Sequence, residues 1–537
     1  MKRLLTILLA MSLTLLVFPL SAALAEAPGN KIVFQMGGEP DSMDPTMNDY
    51  ASGSYALQSL FRGLYKFAPD GTLAPAMAES YTVSEDGTVY TFTLREGLKW
   101  SDGSPLTAHD FEYSWKRVLD PALASETAYT LYGVIRNGYE HFVEGKASAD
   151  DVGVKALDDR TLEVTLIAPA PYFISMTAST AFMPVKKEII EQYGEDWETK
   201  VESYVSNGPF MAAEFKPDEK YIFKKNPNYY NASEVKIDTL EYIFLSAAET
   251  VLLAFESGEV DVASSVNADA EAKYKGTDNL LVSDRIGYRY YEFNTANVPV
   301  NDANVRKALT MAINRDVLVG AVLQSTMPSL RGFIPHAFPG IVNPDKGWRE
   351  VHPDTFSEDL DAAKALLADA GYPNGENFPK IRLVQTPDAS LVKVAQAMAQ
   401  MWKQNLGIET EIVTIESAAY WDDTSARSTG EFEVAYMGYT GDYLDPSSLL
   451  FNFESISSTE NTRWKNEAYD ALMQQARAGT SGEAREKLFE DAEALLSQEC
   501  PVMPVYSYIA TALVNSRIDG FTRNYIGHPN FEYCSIK

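Results

Sequence analysis

Two hydrophobic periods follow one another between Val83 and Trp115. Ser84-Glu85-Asp86-Gly87 has turn chemistry, and Val89 to Leu94 then sets Tyr90, Phe92 and Leu94 against Thr91 and Thr93, the alternation of a half-buried strand. Asp102-Gly103 marks a second turn. Thr107 offers an N-cap with Asp110 in capping-box spacing, and Phe111, Trp115 and Val118 share one helical face before Asp120-Pro121 ends it. Further along, 3.6-residue spacing predicts helices over 304–324, 357–370, 391–406 and 480–499, the last opened by Thr480-x-x-Glu483. Strands are predicted over 380–385, 409–415, 433–437 and 502–506. Alternating helices and strands imply α/β layers with parallel pairing, whereas residues 66–190 read as hairpins. No internal repeat or low-complexity tract interrupts the pattern.

Composition narrows the class. The chain has 537 residues, 45% hydrophobic and 12% aromatic, enough for large cores in two or three domains. Its formal charge of −30 disfavours nucleic acid and anionic lipid, although solubility alone accounts for most such charge. Lys2-Arg3, the apolar run from Leu4 to Leu20 and Ala23-Leu24-Ala25 have the order of a cleavable export signal over residues 1–25. A transmembrane anchor is the competing reading of that run. No cysteine lies near the junction to carry a lipid, so a periplasmic location is expected. Cys500 and Cys534 are a candidate disulfide in an exported chain, the other reading being two separately buried thiols. With two cysteines and five histidines, a zinc site is not expected.

Phosphate-loop, dinucleotide, zincin and nucleophile-elbow motifs are all missing, so neither an enzyme nor a cofactor is expected. Ser233/Lys236 and Ser390/Lys393 fit Ser-x-x-Lys at chance frequency, without the companion motifs of a serine acyl-enzyme. The segment from Val434 to Pro446, VAYMGYTGDYLDP, carries the chemistry worth following. Gly438, Tyr439, Thr440 and Gly441 leave backbone accessible after a strand, and Asp442 sits between a glycine and a tyrosine. Such a carboxylate gains from an incoming ammonium group, and such an edge can accept an added strand. A plain Gly-Asp turn closed by Asp445-Pro446 fits the same residues.

The Val83–Trp115 string, Glu39-Pro-Asp-Ser-Met-Asp-Pro45, Leu60-Phe-Arg-Gly-Leu64, Asn304-Val-Arg-Lys-Ala308, Ala370-Gly-Tyr372 and Glu499-x-Pro501 occur in an order that resembles one family. It is that of the extracellular oligopeptide-binding proteins, the receptors of peptide-importing ABC transporters. The resemblance implies an α/β two-lobed periplasmic-binding-protein fold with a hinge, plus an additional α/β domain beside the N-terminal lobe. On that template residues 26–65, 191–297 and 510–537 form one lobe, 66–190 the additional domain and 298–509 the second lobe. Tyr288 to Asn294 would be one lobe crossing. The resemblance also implies that Asp442 pairs with a peptide's α-amino group, with Gly438, Tyr439 and Thr440 as backbone-pairing and wall positions. The family often has tryptophan where Tyr439 stands. Asp49 and Arg427 are further carry-overs, as an acid facing the ligand and an arginine for its carboxylate. Family members may tie the hinge to the ligand edge with cysteines, which both segments lack here. The implied partners are a peptide ligand and the inner-membrane permease subunits of an ABC transporter, with the protein a monomer. Dipeptides, nickel chelates, opines and oligosaccharides are alternative ligands for the same fold.

Overall fold

A computed structural model describes residues 30–537 apart from 49, 265, 423, 458–461 and 480–481. The export signal of residues 1–25, Asp49 and the capping residue Thr480 therefore lie outside the described residues.

A ten-stranded sheet runs through the whole molecule. Its order is Thr410–Thr414, Ile381–Gln385, Val434–Thr440, Leu280–Phe293, Val502–Val514, Val262–Ala263, Lys31–Met36, Thr239–Phe244, Lys220–Lys225 and Phe210–Lys216. Pairing is parallel where helices cross over, as between Ile381–Gln385 and Thr410–Thr414. The central pairs are instead antiparallel, Leu280–Phe293 lying against both Val434–Thr440 and Val502–Val514. The expectation of parallel pairing thus holds only in part. The two longest strands join distant parts of the chain without a crossover helix, which leaves them free to run antiparallel.

Those two strands also join two separate cores. One core gathers Ile32, Phe34, Trp100, Trp115 and Tyr242, together with Phe521 and Phe531 from the C-terminal end. A second group of clusters draws its buried residues from between Ile286 and Tyr506, around Trp402 and Trp348. Leu280–Phe293 and Val502–Val514 pass from one to the other, and their register shifts between Asp284 and Tyr288. A mixed α/β fold in two lobes, linked by paired strands with an irregularity at the crossing, is the result.

Residues 78–165 supply a separate antiparallel sheet, ordered Ala78–Val83, Val89–Leu94, Thr161–Thr165, Val154–Ala156. Tyr90, Phe92 and Leu94 face inward as their alternation requires. The helix Ala108–Val118 packs Phe111, Trp115 and Val118 inward and carries the Thr107/Asp110 capping box. Burial of this aromatic set at roughly 25 cal/mol per Å² holds the domain to its lobe.

The helix expected over 304–324 is broken. Ala303–Met311 stops at Ala312, because the Asn314 side chain accepts from the Val317 amide at 2.9 Å and opens a new turn. Leu360–Asp369 and Ala389–Leu406 form as expected, the latter closed by left-handed Gly407. Gly482–Glu499 forms the last long helix.

The candidate disulfide is corrected. Cys500 and Cys534 are both free, and each is buried in a different core. Cys500 lies 3.1 Å from the Thr310 hydroxyl, and Cys534 packs with the opposite lobe, so no backbone path brings their sulfurs together. Among the described residues no helix is long and apolar enough to cross a membrane.

Candidate functional site

The strand Val434–Thr440 has one satisfied edge and one open edge. On one side Thr440 stands opposite Gly287, Gly438 opposite Arg289 and Tyr436 opposite Tyr291. On the other side only Val434 and Ala435 are paired, with Leu383 and Val384. Among the described residues no strand pairs with that edge from Tyr436 onward. The strand is longer than the 433–437 expected, because Gly438 and Thr440 hide its period without breaking its ladder. Five consecutive residues with a bare edge form a template for an added strand.

Asp442 follows that edge directly. The Gly441 amide donates to the Ile286 carbonyl at 2.6 Å, which ends the ladder and turns the chain. The loop is then clamped twice. Arg485 donates to both oxygens of Asp445 at 2.6 and 2.8 Å, and Tyr443 stacks on the distant Tyr172 at 4.7 Å. Asp445 is therefore structural, while Asp442 is left to face a cavity of about 240 Å³. That cavity is walled by Asn48 and Tyr50, by Thr127 and Tyr129, and by Thr440 beside Asp442. Arg285, at the crossing strands, closes one side.

The Asp442 carboxylate accepts a hydrogen bond from the Tyr439 hydroxyl at 2.8 Å and another from Tyr129. Burial nevertheless pushes its pKa up to about 6, with the two phenols opposing the rise. The Tyr439 phenol is pushed upward too, by burial and by the neighbouring Asp442 charge. No cation neutralises this acid through any of those contacts; it is a desolvated carboxylate held by two hydroxyl donors. An ammonium ion entering the cavity would find a built counter-charge.

The other predicted residues fall in different places. Gly438, Tyr439 and Thr440 line the open edge with Asp442, so four of the six come together. Arg427 sits apart as a committed cation. It pairs with buried Glu292 at 3.4 Å, its guanidinium stacks on Trp421 at 4.9 Å, and it touches the Met437 sulfur at 3.6 Å. Burial pushes Glu292 up to about 7, with Arg427 opposing. Tyr129, Arg285 and Arg289 escaped the sequence reading because each reaches the site from a remote segment. Arg289 alone carried a signal: a basic residue inside the otherwise aromatic run Tyr288 to Tyr291 has no reason to occupy a central strand unless it has a task.

The model of the bacterial extracellular solute-binding proteins, family 5, matches residues 72–461. The chain belongs to that family. Family 5 relatives match it almost end to end. The dipeptide-binding protein DppE of Bacillus subtilis is 33% identical over 95% of this chain and 93% of its own. The periplasmic oligopeptide-binding protein OppA of Escherichia coli is 34% identical over 94% and 91%. Among solved structures, the periplasmic murein tripeptide binding protein MppA in its unliganded open form superposes with a TM-score of 0.81 at 31% identity, covering 95% of this chain and 98% of its own. The two-lobed fold of this solute-binding family is thereby the fold of the chain.

Proposed function

We propose that this family 5 receptor captures short peptides in the cleft between its lobes and hands them to an ABC permease. The observation that carries the reading is the open edge Tyr436–Thr440 ending at desolvated Asp442. An extended peptide pairs its main chain with that edge, and its α-ammonium meets Asp442. Main-chain pairing is indifferent to side-chain identity, so recognition is broad in sequence. Thr440 and Gly438 supply the pairing groups, and Tyr439 holds Asp442 in place. The lobes are those outlined by the family template, 26–65 with 191–297 and 510–537 against 298–509, with 66–190 as the added domain. They close about the register shift at Asp284–Tyr288, and the closed monomer docks on inner-membrane permease subunits. Residues 1–25 direct export to the periplasm. The site acts by binding, not turnover.

Calorimetry with tri-alanine and N-acetyl-tri-alanine tests the reading. Loss of one charge-assisted contact is worth about 1.5–3 kcal/mol, so acetylation lowers affinity roughly 10- to 150-fold. Equal affinity for the two peptides would reject Asp442 as the ammonium site.

A further inference from the structure

Charges around the Asp442 cavity do not balance. Asp442 stands at one end, and Arg285 with His528 lines another part of the same wall. The Arg285 Nε donates to the Ile526 carbonyl at 2.9 Å, and its guanidinium lies 5.8 Å from the Tyr508 ring. Neither contact is an acid, and among the described residues Arg285 forms no ion pair. Nor does Arg285 act on the Asp442 carboxyl, which responds to burial and to two phenols. Cation and acid therefore occupy separate ends of one cavity.

Beyond Arg285 the excess of positive charge continues. His528 is nine-tenths buried, rests edge-on against Tyr55 at 5.6 Å, and its Nδ1 has no hydrogen-bond partner. Burial and the charges of Arg285 and Arg523 push its pKa down to about 3, so the ring is neutral. Arg523 is buried as well. Its Nη1 donates to the Gly527 carbonyl at 3.1 Å, and its strongest electrostatic neighbours are Tyr55, Arg285 and Tyr242. Two guanidiniums thus repel one another beside a neutral histidine, and neither has a carboxylate in ion-pair contact among the described residues. Uncompensated charge away from water is costly, and an entering anion relieves it.

The cavity's place fixes which part of a ligand arrives there. Of the open edge Tyr436–Thr440 only Thr440 lines it, so a docked peptide reaches it with its first residue and no other. Its volume of about 240 Å³ equals that of roughly eight waters, enough for one side chain of glutamate size. Thr127, Thr130, Ser179 and Thr180 add hydroxyls to the wall, which suits a polar side chain over an aliphatic one. We infer that this cavity is a first-residue pocket for an acidic side chain, Glu or Asp, whose carboxylate Arg285 takes with His528 as a further donor. A guanidinium whose Nη groups are free is suited to bidentate capture of a carboxylate. This rests on the peptide-receptor reading above, with Asp442 holding the ammonium, and adds a preference at one position. Elsewhere main-chain pairing stays indifferent to sequence.

Calorimetry on the full exported chain would compare Glu-Ala-Ala with Gln-Ala-Ala, and Ala-Glu-Ala with Ala-Gln-Ala, in wild type, Arg285→Met and Arg285→Lys. Wild type is expected to bind Glu-Ala-Ala about 10- to 100-fold more tightly than Gln-Ala-Ala, and the second pair alike. Arg285→Met removes the first-position preference while the penalty for N-acetylation stays; Arg285→Lys keeps part of the preference. Equal wild-type affinity for Glu-Ala-Ala and Gln-Ala-Ala, or a preference that survives in Arg285→Met, overturns the pocket but not the peptide reading. An equal preference for Glu at the second position overturns it too, as a general attraction for anions. Gln-Ala-Ala binding that tightens in excess acetate, with no first-residue preference, would give the charge to a free anion and overturn the pocket. If Arg285→Met does not fold, the wild-type comparison still decides. Absence of any peptide binding to wild type would remove both readings.

Discussion

Replacing Asp442 with asparagine separates the energetics of the empty receptor from those of the loaded one. In the empty cleft the carboxyl group is raised from an ordinary 3.8 to about 6. At 1.36 kcal/mol per pKa unit, keeping it ionised in the folded protein costs about 3 kcal/mol. The sign follows from linkage. A folded-state pKa above the unfolded value means that folding favours the protonated acid, so the cost is absent below about pH 4, grows between 4 and 6, and is complete above 6. Asparagine keeps an acceptor for Tyr439 and Tyr129 but never ionises. Without ligand, Asp442→Asn should therefore be more stable than wild type by up to about 3 kcal/mol at pH 7.5 in urea denaturation followed by tryptophan fluorescence. That advantage should shrink toward zero as pH falls to 4. In the same protein peptide affinity should drop roughly 10- to 150-fold. An asparagine variant no more stable than wild type at pH 7.5, or one whose advantage ignores pH, would refute the idea of a strained, desolvated acid.

Other perturbations probe the surroundings. Gly438→Ala drives a methyl into the Tyr508 hydroxyl and Arg289, so it should cost about 1–3 kcal/mol in stability, measured by urea denaturation, and weaken peptide binding in calorimetry. Arg427→Ala leaves Glu292 buried without its partner and should destabilise by about 3–5 kcal/mol at neutral pH. Because Glu292 is already pushed up to about 7 in the fold, that loss should ease on acidification, when the acid is neutral. Iodoacetamide should leave Cys500 and Cys534 of the native protein unmodified and label both after denaturation, as intact-mass spectrometry would show.

Local structure was legible wherever side-chain period and turn chemistry agreed. Tyr90, Phe92 and Leu94 announced their strand, and Thr107 with Asp110 announced the helix after it. The reading failed where a polar residue could serve two local structures, as Asn314 did in ending a helix that the apolar spacing continued. It also fell short on the two long strands at the centre. Leu280–Phe293 and Val502–Val514 change environment midway, so neither shows one alternation from end to end. Resemblance to a family led to Asp442, and the bare edge beside it explains why an acid there has a use. Arg427 was placed by the same route, yet buried Glu292 claims its charge. Arg289 and Tyr129 join the site only through strand register and lobe packing, which one-dimensional spacing does not encode.

Calorimetry of tri-alanine binding at pH 6, repeated in buffers of different ionisation enthalpy, tests the central claim most directly. An acid half-protonated in the empty cleft must ionise to meet an ammonium group, so wild type should release about half a proton per peptide bound, and Asp442→Asn none. No release by wild type, or the same release by the asparagine variant, would contradict the account.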